Sequence, residues 1–344
     1  MKRPPIQPEL DLLLTCTRQT MTSEQIAHLA QLCHNDLLQW ASIYTLADQH
    51  SVAPLVFANL QQSAAISVMP AAIIQQFRQA TYQAIATKAG LARQLQQVLA
   101  FLTAQGQRVM LIKGAALDRL LYRQPWYVVH DVDLIIATPR SALPAGVLAT
   151  IERFFWDYPA FEYEFYSHHD VTMNGVLSVD FAQIWHDAES VSWDGTLVTV
   201  MARADQLIAA CINCVRKRFF RLKALLAVAE LTAWLRQEDW PLVVAKSNHY
   251  QCANLVYAAL LMAQTTLGAY VPARFAEQLA IHPLRARAIQ GVMHHLVVNP
   301  EHWATGGGQF EHRLLNWALL LPYTTYSVRQ IFTKLSQPRP PSTL

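Results

Sequence analysis

Charge is scarce in this chain. Only 15% of its 344 residues are Asp, Glu, Lys or Arg, while 53% are hydrophobic. That balance excludes an intrinsically disordered protein and gives enough apolar mass for a sizeable core. The formal net charge is +3, too small to demand a nucleic-acid partner although it permits an anionic substrate. Cysteine is scarce as well. Five scattered residues, an odd number, exclude a disulfide scaffold and read as reduced thiols, as expected of a cytoplasmic protein. The opening MKRPPIQPEL has no apolar stretch of the secretory kind. Long apolar runs are missing too. The nearest, NLVYAALLMAQTTLGAY, is interrupted by Gln264, Thr265 and Thr266, so no membrane span is expected. No internal repeat is present.

What is there is mostly helix pattern. Residues 9–106 read as an N-terminal helical lobe between a disordered tail (1–8) and a core. Ser23 is an acceptable N-cap for SEQIAHLAQLC, and Pro70 opens a long helix that Gly106 ends. Gly90 in its middle marks a weak point or close packing. Residues 201–335 read as a C-terminal helical lobe before a second disordered tail (336–344). Within it, the long apolar stretch from Arg203 breaks into two helices near Arg218–Arg221. The intervening residues 107–200 carry the β signals: Val109–Ile112, Asp131–Ile136, the alternating Phe161–Tyr166, and an Asn174-Gly175 turn that predicts a hairpin. The chain therefore reads as α+β, a small mixed sheet flanked by two helical lobes.

The chemistry concentrates between Arg108 and Ala137. Lys113-Gly114 ends a buried strand and opens a helix, the arrangement in which free N–H groups and a positive dipole end meet a phosphate. Gly114 lets the backbone come close, and Ala115 follows in the first turn. Asp131 and Asp133 stand two apart in a strand, so they project to the same side. Two carboxylates that close resist joint ionisation unless a cation joins them, and hard oxygen donors favour Mg²⁺. Asp180, in the strand-like VLSVDFAQIW, is the candidate third acid. Lys113, Gly114 and Ala115 as phosphate cradle, with Asp131, Asp133 and Asp180 as metal ligands, make a set suited to metal-assisted phosphoryl chemistry.

Other clusters carry less. Cys211 and Cys214 form a C-x-x-C on an apolar helix and read as buried structural thiols. His168-His169-Asp170 with His186 matches no familiar zinc spacing; His169 or Asp170 reads better as a substrate contact at the mouth of the site. Arg216-Lys217-Arg218 with Arg221 and Lys223 reads as a solvated helix end or a phosphate contact.

The pattern KGAAL-x3-LY-x2-P-x5-DVDLII resembles the signature of the uncharacterised nucleotidyltransferase family, a branch of the DNA polymerase β-like superfamily. Trp40, Ala47, His50, Val52 and Pro54-Leu55, the Arg203-Asp205 helix start and the later LGAYVP are similar to its helical segments. The resemblance spans roughly residues 35–275. It implies transfer of a nucleoside monophosphate from a nucleoside triphosphate to an acceptor hydroxyl, with two Mg²⁺ ions on Asp131, Asp133 and Asp180. The acceptor (sugar, metabolite, peptide, protein or RNA) is open. The sequence departs from the family where an arginine is expected before the acidic pair, and near Asn213 and Ala227. These departures motivate two alternatives: a catalytically inactive nucleotide-binding or interaction protein, and a toxin-like tRNA nucleotidyltransferase.

Overall fold

The computed structural model describes residues 7–63, 65–122, 124–193 and 196–320. The two expected tails fall outside them, except that Pro8 already opens the first helix. The N-terminal segment is helical: α1 (Pro8–Cys16), α2 (Ser23–Cys33), α3 (Trp40–Gln49), α4 (Ala53–Gln62) and α5 (Ala71–Ala104). The cap of α2 is Thr22 rather than Ser23. Thr22 Oγ accepts from the Gln25 N–H while Gln25 Oε1 accepts from the Thr22 N–H, a reciprocal pair that Ser23 is one residue too late to make.

The 34-residue α5 is buried at its ends and open between them. Ile73 and Phe77 are buried near the start; Leu91, Leu95, Val98, Leu99 and Leu102 are buried towards the end; nothing between Phe77 and Leu91 is. Gly90 sits in that open part, and a Cβ there would meet nothing within 4 Å, so close packing does not explain it.

The helix delivers the chain to β1 (Val109–Ile112), followed by α6 (Lys113–Leu121), β2 (Val132–Ile136), α7 (Ala145–Phe155), β3 (Phe161–Phe165), α8 (Phe181–Asp187), β4 (Glu189–Trp193) and β5 (Thr196–Val200). The five strands form one mixed sheet in the order β3-β2-β1-β5-β4. β2 runs antiparallel to β1 and parallel to β3. Each strand of the centre is buried on both faces, which is why Val109–Ile112 and Val132–Ile136 read as continuous apolar runs broken only by Asp133.

The hairpin expected at Asn174-Gly175 does not form. Both residues adopt the left-handed backbone that such a turn requires, with φ of 58° and 81°. No strand flanks them; residues 170–176 run as successive turns. The reason lies in the sheet. Both edges of β2 are already taken by β1 and β3, so no strand bearing Asp180 can lie beside it. Val171, Phe181 and Ile184 instead bury against Met110, Ile112, Ile135 and Met201, covering one sheet face. The β4–β5 hairpin, not singled out above, has its signal in the sequence: two alternating runs around Asp194-Gly195.

The C-terminal segment comprises α9 (Arg203–Arg216), α10 (Leu222–Trp234), α11 (Asp239–His249), α12 (Ala253–Leu267), α13 (Phe275–Gln278), α14 (Pro283–Val298), α15 (Pro300–Thr305) and α16 (Gln309–Leu320). The expected break between α9 and α10 falls at Arg218 and Phe219, both at positive φ. The apolar stretch interrupted by Gln264, Thr265 and Thr266 is α12, buried against α9, α10 and α14. Among the described residues, no helix is long and apolar enough to cross a membrane.

The helical segments meet one another across the chain. His50, the C-cap of α3, donates from Nε2 to the Trp303 carbonyl (2.9 Å), and Gln19 Nε2 donates to Glu230 (2.9 Å). One continuous apolar core runs from Leu10 to Leu319 through all three segments.

Candidate active site

The turn from β1 into α6 places the first functional side chain. Lys113 opens α6 with φ of 52°, a left-handed conformation that costs a non-glycine residue free energy. Its ammonium lies 2.7 Å from Asp133 Oδ1 and 2.5 Å from Asp170 Oδ2. Asp133 comes from β2 on the face shared with Ile135; Asp170 comes from the turns after β3. Arg216, the last residue of α9, also pairs with Asp170, and His169 Nε2 lies 2.9 Å from its Oδ1.

Three distant parts of the sequence thus meet at one alternating set of charges. Burial by itself would raise the carboxyls of Asp133 and Asp170. For Asp133 the His168 N–H and the Lys113 ammonium outweigh burial and hold the group below the usual carboxylate range. For Asp170 Lys113, Arg216 and His169 do the same. Burial would also lower Lys113, but Asp133 and Asp170 outweigh it and the ammonium is held above its ordinary value.

A cleft of about 410 Å³ opens over this set. Lys113, Gly114, Asp131, Asp133 and Asp170 form its floor side, and Asn213, Lys217, Arg221 and Lys223 from α9, α10 and their connection form the opposite wall. Three cationic side chains on that wall therefore face three carboxylates and Lys113. Asp131, unlike Asp133, is exposed to the cleft. A Cβ on Gly114 would meet only the Tyr127 ring, at 4.0 Å, so no neighbour in the protein requires glycine there. The space lies open to the cleft. Lys223 sits over the Tyr127 ring, 4.9 Å from its centre, and Tyr127 stacks on Tyr122. Burial pulls the Lys223 amine down to about 8, against the opposing pull of Asp131, Asp118 and Asp133.

The residues singled out in the sequence do not all arrive here. Lys113, Gly114, Asp131 and Asp133 line one cleft. Ala115 does not: its methyl is buried in the core, leaving only its backbone N–H in the first turn of α6. Asp180 is exposed, caps α8, and accepts from the Gln183 N–H at 3.1 Å; it does not line the cleft. Asp170 is the carboxylate that does. Of the basic run, Lys217, Arg221 and Lys223 face the cleft, Arg216 pairs with Asp170, and Arg218 instead reaches His312 at 2.8 Å. Tyr127 and Ser51 gave no signal in the sequence, since neither sits in a charged or glycine-bearing pattern. The Arg203-Asp205 motif is structural. Arg203 stacks on Trp234 and donates to its carbonyl, while buried Asp205 pairs with Lys246.

The chain matches the model of the uncharacterised nucleotidyltransferases over residues 36–268, about two thirds of its length. It belongs to that family. The match takes in α3 to α12, and with them every residue of the cleft. No curated protein and no solved structure matches the chain. Membership makes it a nucleotidyltransferase by family, with a nucleotide as the implied substrate.

Hard oxygen donors suit Mg²⁺. Asp131, Asp133 and Asp170 supply them on one cleft, and Asp133 and Asp170 already converge on a single cation, the Lys113 ammonium. A second grouping, Glu164, His168 and His169, brings ligand atoms within 4.8 Å of one another. It suits a metal poorly. The Asp170 N–H donates to His168 Nδ1 (3.1 Å), which leaves the ring proton on Nε2, the atom facing Glu164 and Asp133. The C-x-x-C thiols are likewise inert: Cys211 and Cys214 are fully buried, and burial pushes both far up.

Proposed function

We propose that the protein transfers a nucleoside monophosphate from a nucleoside triphosphate to an acceptor hydroxyl in the basic cleft. The observation that carries this is the meeting, in one cleft, of Asp131 and Asp133 at the start of β2, the helix start at Gly114 and a wall of three cations from α9–α10. Asp131 and Asp133 would hold Mg²⁺, with Asp170 as the third carboxylate in the place that spacing assigned to Asp180; the expected second ion would share these ligands. Bound there, the metal supplies charge neutralisation on the phosphates and acidifies the acceptor hydroxyl.

The protein's own groups do the rest. The free N–H groups at the start of α6 and the Lys217, Arg221 and Lys223 side chains bind the phosphate oxygens. Gly114 keeps the approach open. Lys113, released from Asp133 and Asp170 by the incoming charge, turns to the triphosphate. The acceptor oxygen bonds to the α-phosphorus, the bond from that phosphorus to the β-phosphate oxygen breaks, pyrophosphate leaves, and the hydroxyl proton passes to water.

Calorimetric titration of each Mg–nucleoside triphosphate into wild type and Asp131→Ala tests the donor half. Mg²⁺-dependent binding in the wild type that the variant loses supports the assignment; equal binding to both proteins sinks it. A second reading has one observation in its favour. Lys113 already neutralises Asp133 and Asp170, which suits a protein that binds nucleotide without turning it over. Triphosphate binding with no transfer to any acceptor would select it.

A further inference from the structure

A second cleft, of about 500 Å³, adjoins the basic one and shares Ser51 and His130 with it. Its long wall is the open middle of α5. Gln76, Gln79 and Gln83 stand three and four residues apart, hence on one helical face, with Thr87 one turn on. Ala80 and Ala84 lie between them and leave room where larger residues would close the cleft. The facing wall is Asp48 and Ser51 at the end of α3 with Val128–His130 before β2. Tyr44 contributes an aromatic ring, held edge-on against Phe77 with centroids 5.1 Å apart.

The composition of this cleft differs in kind from that of its neighbour. Apart from His130, Asp48 is the charged residue among those described in its lining, where the basic cleft has four cations. Among the described residues, the three glutamine amides make no side-chain hydrogen bond. Each amide offers paired donors and an acceptor, which match the donor–acceptor character of a hydroxyl. A carboxylate accepts from two neighbouring hydroxyls, and an aromatic face covers the C–H side of a ring. A polyanion would find no cation here and would meet Asp48. The volume falls in the range of small-molecule sites.

We infer that this cleft binds the acceptor, and that the acceptor is an uncharged polyhydroxylated small molecule of sugar type, presented at the Ser51–His130 junction to a nucleotide in the basic cleft. The acceptor role rests on the transferase reading above; the sugar-binding role stands on the cleft itself. Transfer would form a phosphodiester between the sugar oxygen and the α-phosphorus, with pyrophosphate leaving and the hydroxyl proton going to water.

The test has two arms on the full chain. In the first, a panel of methyl hexopyranosides and disaccharides is titrated without nucleotide into wild type and the Gln79→Ala/Gln83→Ala double variant. At least one sugar should bind, and the double variant should weaken it tenfold or more; both positions are exposed on a long helix, so the fold should survive. No binding across the panel, or equal binding to both proteins, overturns the inference. In the second arm, labelled Mg–nucleoside triphosphate is supplied with the bound sugar, with a sugar phosphate, or with tRNA. Label on the neutral sugar supports the acceptor role, and label only on tRNA or on the sugar phosphate overturns it. Sugar binding with no triphosphate binding would fail the donor reading and leave the sugar site standing.

Discussion

The two clefts share a border but come from different parts of the chain and obey different chemistry. The basic cleft is built by β1, α6, β2 and the α9–α10 connection, and its charges are fixed by pairing: Lys113 to Asp133 and Asp170, and Arg216 to Asp170. The neutral cleft is built by α3, α5 and the segment before β2, and its amides are exposed and uncommitted. Buried charges need partners, so altering these paired groups is costly. Exposed amides need none, so the second can change without cost to folding. Substitutions should therefore strike stability and chemistry together in the first and recognition alone in the second.

The largest effect should come from Asp133. Asp133→Ala leaves the largely buried Lys113 ammonium with only Asp170, so the loss should be sizeable but below the about 3–5 kcal/mol of a buried charge left without any partner. Denaturant unfolding should show that loss, and nucleotide transfer should fall below detection. A variant of wild-type stability would mean that the pair is dispensable and the contrast between the clefts false.

The next effect separates two acids. Asp170→Asn should reduce transfer about a hundredfold, as expected for loss of one charged group at the reacting phosphate. Asp180→Asn should stay within about threefold, since asparagine caps a helix as well as aspartate does. The reverse ranking in a steady-state assay would return the third carboxylate to Asp180.

Acid should weaken the joint between the helical segments. Burial lowers both His50 and His302 to about 4, and each is neutral in the folded protein. The unfolded chain takes up protons from about pH 6.5 downward, so stability is full above that value and falls until about pH 4, where the folded histidines protonate too. The limit is about 3 kcal/mol for each histidine. Asp133 and Asp170, held low, lose their stabilisation only as pH falls through and below the ordinary carboxylate range, so they stay out of the window between pH 7 and 5. His130, also lowered, adds to the loss in that window, and Asp118, Asp205 and Glu230, raised by burial, oppose it, so the assignment is read from variants. The shift in urea midpoint between pH 7 and 5 should shrink in His50→Gln and in His302→Gln, and a shift unchanged in both would show that neither histidine is kept neutral.

The smallest effect belongs to the open stretch of α5. Gly90→Ala meets no atom within 4 Å and should stabilise the helix by about 1 kcal/mol, visible as a modest rise in melting temperature. A fall would mean that the stretch packs against something after all.

Much of this was legible without coordinates. The strand–Lys-Gly–helix unit, the acidic pair at the start of β2 (Asp133 in the strand, Asp131 just before it), the break at Arg218 and the long helix from Pro70 follow from periodicity, from the turn preferences of glycine and proline, and from the rule that alternate strand residues share a face. Those are local properties, fixed within a few residues. Asp170 could not be told from Asp180 in the same way. Asp180 lies in an alternating run beside a sound turn signal, yet β1 and β3 occupy both edges of β2, and sheet order is a property of the whole core. Ala115 faces the core because α6 packs its first turn inward. The reach of Lys113 to Asp170, and the bare middle of α5 that opens the second cleft, depend in the same way on what packs where. The sequence by itself determined which residues carry charge and which segments coil or extend. Only the tertiary structure decided which charges meet, because meeting depends on contacts between residues far apart in the chain.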